Sequence, residues 1–207
     1  MTPAEGGSRT ETSIRRHQES VTVEASPEKL YDLVSDITRT GEWSPVCRSC
    51  WWDDAAQAGQ VGAWFTGHNE LPHRTWQTRS QVVAAEHGRE FAWVVGGSFV
   101  RWGFTLTPVQ TGTALTESWE FLPGGIAMFQ EKFGDDAHVQ IADRTQQALD
   151  GIPKTLRAIK RIAESSTDTG EPGRGNSFTV ASGGDEHGGT HELAHRGTLP
   201  GWKVHSD

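Results

Sequence analysis

Between residues 62 and 121 the chain divides into short alternating runs separated by turn formers. Trp64, Trp76, Trp93, Trp102 and Trp119 fall within this stretch, and Phe65, Phe91, Phe99, Phe104 and Phe121 lie among them. Residues 62–70, 75–86, 89–96, 99–108 and 113–121 read as successive strands. The breaks contain Leu71-Pro72, His87-Gly88, Gly96-Gly97 and Thr111-Gly112, all turn-compatible. Connections this short exclude parallel crossovers, so neighbouring strands must be antiparallel. Alternation then assigns faces. Phe91, Trp93 and Val95 share one face, as do Val100, Trp102, Phe104 and Leu106. Leu115, Trp119 and Phe121 share another, with Glu117 among them. We expect this stretch to form the floor and walls of a hydrophobic cavity.

The flanks supply the elements that such a sheet packs against. Residues 17–24 alternate around Val21 and Val23 and read as a first strand. Ser26, Pro27 and Glu28 form a helix-start signature, and Leu30, Leu33, Val34 and Ile37 continue it at helical spacing. A second short turn over 38–43 ends at Ser44-Pro45, and residues 46–53 read as a strand ending in Trp51-Trp52. After Leu122-Pro123-Gly124-Gly125, helical character returns. Leu149, Ile152, Leu156, Ile159 and Ala163 draw one apolar stripe. Gly151 and Pro153 interrupt it, so a kink or a break is expected there, with Asp150 capping the second half.

The ends differ in composition from the middle. Residues 1–13 are Gly, Ser, Thr and charge, and residues 165–207 are glycine-rich without an apolar period; both are expected to be disordered. That leaves one domain over 14–164. The first 20 residues have no apolar segment behind their charges, which predicts a cytoplasmic protein, and no run is long enough to span a membrane. A net charge of −8 argues against a nucleic-acid partner. Hydrophobic residues make up only 34%, and the nine tryptophans partly compensate by burying large apolar areas.

The predicted order is a strand, short helices, six strands and a long C-terminal helix: an α+β helix-grip arrangement. In it, a curved antiparallel sheet wraps the final helix and leaves an internal hydrophobic cavity. Four stretches sharpen this. Gly41-Glu42-Trp43-Ser44-Pro45 follows the first helices, and Gly62-Ala63-Trp64-Phe65-Thr66-Gly67-His68-Asn69 has a G-x-x-F-x-G-x-N form. Glu86-His87-Gly88-Arg89-Glu90-Phe91-Ala92-Trp93 and Gly112-Thr113-Ala114-Leu115-Thr116-Glu117-Ser118-Trp119 complete the set. Together they resemble the START/Bet v 1-like (SRPBCC) superfamily, in its bacterial polyketide cyclase/dehydrase-like branch. The resemblance covers about residues 16–164 and implies sterols, lipids or polyketides as ligand classes. Fold alone does not choose among carriers, receptors and enzymes.

Trp64, Phe65, His68, Asn69, Trp76, Trp93, Trp102, Phe104 and Trp119 are the expected ligand-binding residues. Most of these aromatics also serve as core, because cavity and core share walls. Among the polar residues within the strands, Arg79 and Arg101 read as solvated surface. His68 and Asn69 are candidate orienting contacts. His68 and Glu117 are the candidate general acid–base groups. Cys47-Arg48-Ser49-Cys50 has C-x-x-C spacing but no further zinc ligands nearby. In a strand, positions three apart face opposite sides, so the pair reads as two ordinary buried or half-buried thiols. His191-Glu192-Leu193-Ala194-His195 matches H-E-x-x-H within a glycine-rich stretch, but Gly201 stands where the extended motif has its third histidine and His205 is the only later candidate, so it reads as a chance match. Adventitious metal binding by His187, His191, His195 and His205 is the more plausible metal chemistry there. No cofactor and no metal are expected.

Three functional classes follow. The leading one is a binder of a small hydrophobic or aromatic ligand. The second is a cyclase, aromatase or dehydratase using the same cavity. The third is a regulatory or interaction module working through the C-terminal tail.

Overall fold

A computed structural model describes residues 14–165. The expectations for residues 1–13 and for the tail, including its H-E-x-x-H match and histidines, lie outside the described residues. β1 (Arg16–Val23) leads into α1 (Pro27–Ser35), a 3-10 turn Ile37–Glu42, and β2 (Cys47–Trp52). β3 (Trp64–Leu71), β4 (Arg74–Glu86), β5 (Glu90–Val95), β6 (Val100–Val109) and β7 (Gly112–Phe121) follow as a meander. α2 (Pro123–Phe133) and α3 (Ala137–Ser165) complete the described chain.

All seven strands form one antiparallel sheet in the order β1-β7-β6-β5-β4-β3-β2. The meander follows from its turns: Gly88, Gly96, Gly97 and Gly112 adopt positive φ between consecutive strands, which favours glycine. The segment containing α1 carries the chain from one edge strand, β1, to the other, β2. Ser26 caps α1 by accepting from the Lys29 amide at 3.2 Å, with Pro27 behind it, as the sequence predicts.

α3 lies across the concave face and contacts β1, β7, α1 and α2. Its stripe buries Ile141, Ala148, Ile152, Leu156, Ile159 and Ala163, while Leu149, expected on the stripe, is only half-buried and Ala148 takes its place. Its C-terminal end is pinned by polar contacts. Lys160 Nζ donates to the Thr22 carbonyl at 2.7 Å, Lys29 Nζ donates to the Ala163 carbonyl at 3.0 Å, and the Glu24 amide donates to Glu164 Oε1 at 3.0 Å. This is the helix-grip fold. No described helix is long and apolar enough to cross a membrane.

Of the kink or break expected at Gly151 and Pro153, the structure removes the break, and with it the cap expected at Asp150. α3 is not broken at Gly151 or Pro153: it runs as one 29-residue helix with Pro153 inside. Proline lacks one N–H, but packing of the apolar stripe on either side holds the helix together. Asp150 is therefore no cap; its carboxylate accepts from Gln146 Nε2 at 2.9 Å, one helical turn back.

Ile159 is fully buried and belongs to the core cluster. Ile159→Ala is expected to cost about 2–5 kcal/mol. Arg157→Ala, at an exposed position of the same helix, should stay within about 0.5 kcal/mol of the parent. Urea denaturation of both variants measures the difference.

Candidate functional site

The C-terminal part of the α3 stripe meets the sheet directly, but its earlier part does not fill the concavity. A cavity of about 230 Å³ remains between the helix and the sheet. The strands supply Phe65, Trp76, Trp93, Trp102, Phe104, Trp119 and Phe121. Ala148, Gly151, Ile152 and Thr155 of α3 close it, with Met128 and Phe129 of α2 and Val34, Ile37 and Trp43 from the β1–β2 connection. The rings interlock: Trp93 sits 6.1 Å from Phe65 and 5.9 Å from Phe104, and Phe121 lies edge-on to Trp119 at 5.7 Å. Such tilted contacts are the favoured aromatic geometry and hold the walls rigid.

Of the residues expected to bind ligand, Phe65, Asn69, Trp76, Trp93, Trp102, Phe104 and Trp119 line this cavity, as does Glu117. Trp64 and His68 do not. Strand alternation decides this: buried Phe65, Gly67 and Asn69 point inward, so Trp64, Thr66 and His68 take the other face. His68 and Asn69 are adjacent in one strand and could not both face a cavity. Trp64 instead lies under Arg79, whose guanidinium carbon is 4.4 Å from the ring centroid. Arg79 Nε in turn pairs with Asp53 at 2.5 Å, and Arg101 pairs with Glu90 at 2.6 Å. Both arginines are on the outside, as the sequence predicts.

Both cysteines are buried, within the sequence reading, but they share one face where alternation would separate them. β2 carries an irregularity against β3 between Cys47 and Ser49, which displaces Arg48 and restores the inward direction at Cys50. Both thiols are buried, both line the cavity, and their sulfurs are 3.1 Å apart. Gly67 makes the room: a Cβ there would lie 3.3 Å from Cys50 Sγ and 3.6 Å from Cys47 Sγ. The hydrogen bond from Cys47, with a second from Thr40, lowers the Cys50 thiol below its ordinary value. The same bond, together with burial, pushes Cys47 up. Among the described residues no group of three or more His, Cys, Asp or Glu side chains could hold a metal.

Polar groups in the wall are few. Asn69 Nδ2 donates to the Gly67 carbonyl at 3.3 Å and to Thr78 Oγ1 at 3.2 Å. Ser80 is buried beside them. Glu117 is 5% exposed, and its Oε2 is buried with no hydrogen-bond partner. Burial raises its carboxyl well above the ordinary value, and Glu19, opposite it on β1, adds to the rise. Arg144 also lines the cavity and was not anticipated. The available signal was an arginine three residues after Ile141 and four before Ala148, on the apolar stripe itself.

The family model described as "Polyketide cyclase / dehydrase and lipid transport" matches residues 15–157. A Polyketide_cyc-like protein from Corynebacterium glutamicum, Cgl2372, is 47% identical, with a TM-score of 0.57 over 77% of this chain and 97% of that one. The di-domain ARO/CYC StfQ of the steffimycin biosynthetic pathway shares the fold at 14% identity and a TM-score of 0.56, over 74% of this chain and 52% of its own. A START superfamily protein from Mycobacterium smegmatis does so at 16% identity and a TM-score of 0.50, over 74% and 99%. No curated protein matches the chain.

Glu117 gives the site a pH signature. Above the ordinary carboxyl pKa of about 4.3 the unfolded chain loses this proton while the folded one retains it. The folded state then binds more protons, so stability falls as pH rises through the raised value, by at most about 1.4 kcal/mol per pH unit. Below the ordinary pKa the contribution is fully present. Glu117→Gln cannot ionise, so its stability advantage over the parent should widen from about pH 5 to pH 7 in urea denaturation. A margin independent of pH would contradict a buried acid.

Proposed function

The chain belongs to the polyketide cyclase/dehydrase and lipid transport family, and from that premise we propose that it binds a small hydrophobic or aromatic ligand between the sheet and α3. The observation that carries this reading is the cavity itself. Protein interiors pack densely, and unfilled volume costs about 24 cal/mol per Å³. A volume of about 230 Å³ left open among aromatic side chains is space that core packing would otherwise fill. An apolar cavity of about 150 Å³ already accepts benzene, so this one has space for a larger ring system or a chain. Aromatic walls supply affinity through apolar burial. Asn69 and Ser80 supply directional contacts, which is how such sites fix orientation.

A second reading, a cyclase, aromatase or dehydratase acting in the same cavity, is favoured by one observation. Glu117 presents a buried carboxyl without a partner for Oε2 at the cavity wall. A carboxyl whose proton is held more firmly because it is buried can act as a proton donor, which elimination of water or closure of a ring requires. His68 has no place in that chemistry because it lies on the other face of β3. Binding and conversion separate cleanly: a carrier releases its ligand unchanged, whereas an enzyme converts it and loses turnover with Glu117→Gln.

Native mass spectrometry of the purified protein, followed by denaturation and identification of released compounds, tests the binding reading. A retained apolar compound is the expected result. A protein that emerges empty and takes up none of a panel of apolar aromatic and aliphatic probes would overturn it. Thr155→Phe, which places a ring in the cavity from α3, is expected to abolish uptake while preserving the far-ultraviolet circular dichroism of the parent.

A further inference from the structure

A second, smaller pocket of about 30 Å³ adjoins the cavity, and Trp76, Met128, Phe129 and Arg144 line both. Its remaining walls are Arg74, Lys132 and Phe133, so three basic residues surround a small volume. Each arrives there from its element. Arg74 opens β4 and shares the inward parity of Trp76, Thr78 and Ser80. Arg144 interrupts the apolar stripe of α3, and Lys132 stands in the last turn of α2.

The arginine donors there are not used up by the protein. Arg74 Nε and Nη2 and Arg144 Nε are buried and have no hydrogen-bond partner. Arg74 instead stacks over Trp76, its guanidinium carbon 4.3 Å from the ring centroid. Arg144 uses its terminal nitrogens on Asp143 Oδ2 and Gln140 Oε1, which leaves Nε unused. The Asp143 carboxylate attracts Arg74 as well and also accepts from Gln147 Nε2 at 2.7 Å. One carboxylate thus faces two guanidiniums that repel each other. Buried cationic N–H groups without acceptors are costly, and the group that satisfies them is an oxyanion. Two planar guanidiniums match the two oxygens of a carboxylate, and the volume suits a group of that size.

We propose that the ligand is an apolar carboxylic acid, its carboxylate held by Arg74 and Arg144 with Lys132 adding charge, and its hydrocarbon or aromatic body extending into the main cavity. This rests on the binding reading above and names the ligand class for that site. It also accounts for an arginine on a helix stripe that packing alone would fill with an aliphatic residue.

Isothermal titration calorimetry with matched probes tests it. The probes are 2-naphthoic acid and dodecanoic acid, the primary amide of each, and 2-naphthyl phosphate. Wild-type protein is expected to bind at least one acid about tenfold or more tighter than its amide, the scale of one charge-assisted contact. Arg144→Gln should bring that ratio close to one. So should Arg74→Gln, which touches only the smaller pocket and keeps the test available if the α3 variant does not fold. Amides that bind as tightly as their acids would overturn the carboxylate assignment and leave the binding reading standing. Naphthyl phosphate binding more tightly than naphthoate would overturn it in favour of a phosphate headgroup. Binding of none of the probes would count against the binding reading and this inference together.

Discussion

The structure depends on a mismatch between a strongly curved seven-stranded sheet and the single helix it wraps. α3 presents one narrow apolar stripe, and a concavity that wide cannot be filled by one stripe along its whole length. Ile159 and Ala163 bury almost completely beside β1, where Lys29, Lys160 and Glu164 pin the helix. Farther back, Ala148, Gly151 and Thr155 present small side chains, and the space they leave open is the cavity. A larger residue at any of these positions would convert cavity volume into core, so the choice of residue on one helix sets how much of the concavity stays open.

The walls combine stiffness with few polar contacts. Interlocked rings from neighbouring strands leave little freedom to collapse, which is why the volume persists in the face of its packing cost. Into this apolar surround the chain places a buried carboxyl at Glu117 and buried guanidinium donors at Arg74 and Arg144. Glu117 and Arg144 line the same cavity, yet Glu117 Oε2 and Arg144 Nε are each buried without a hydrogen-bond partner. A protein built only for stability would pair such groups or replace them. On the binding reading proposed above, partners for both come with the ligand, which would carry an acceptor near Glu117 and a negative charge near the arginines.

The paired thiols follow from a local defect. Without the irregularity in β2, Cys50 would face outward, and the C-x-x-C spacing would be incidental. With it, and with a glycine across the strand pair, both sulfurs occupy one point on the cavity wall. Any ligand in the cavity is therefore in the neighbourhood of a thiol whose ionisation is favoured by its neighbour.

The sequence by itself determined the meander, the faces of β5, β6 and β7, the capped start of α1 and the stripe of α3. Each is encoded in residues close together, through period-two or helical spacing and glycine at the turns. Seven of the nine residues expected to bind ligand lie on the cavity wall. Trp64 and His68 take the other face because strand alternation splits the motif that contains them. Tertiary structure alone decided three things. A misregister between two strands turned Cys50 inward, and that register is a property of the pair. Stripe packing carried α3 through Pro153, because contacts with the sheet outweigh one missing hydrogen bond. Folding brought Arg74, Lys132 and Arg144 together from three elements, and no spacing in the chain announces a cluster that exists only once the helix lies across the sheet.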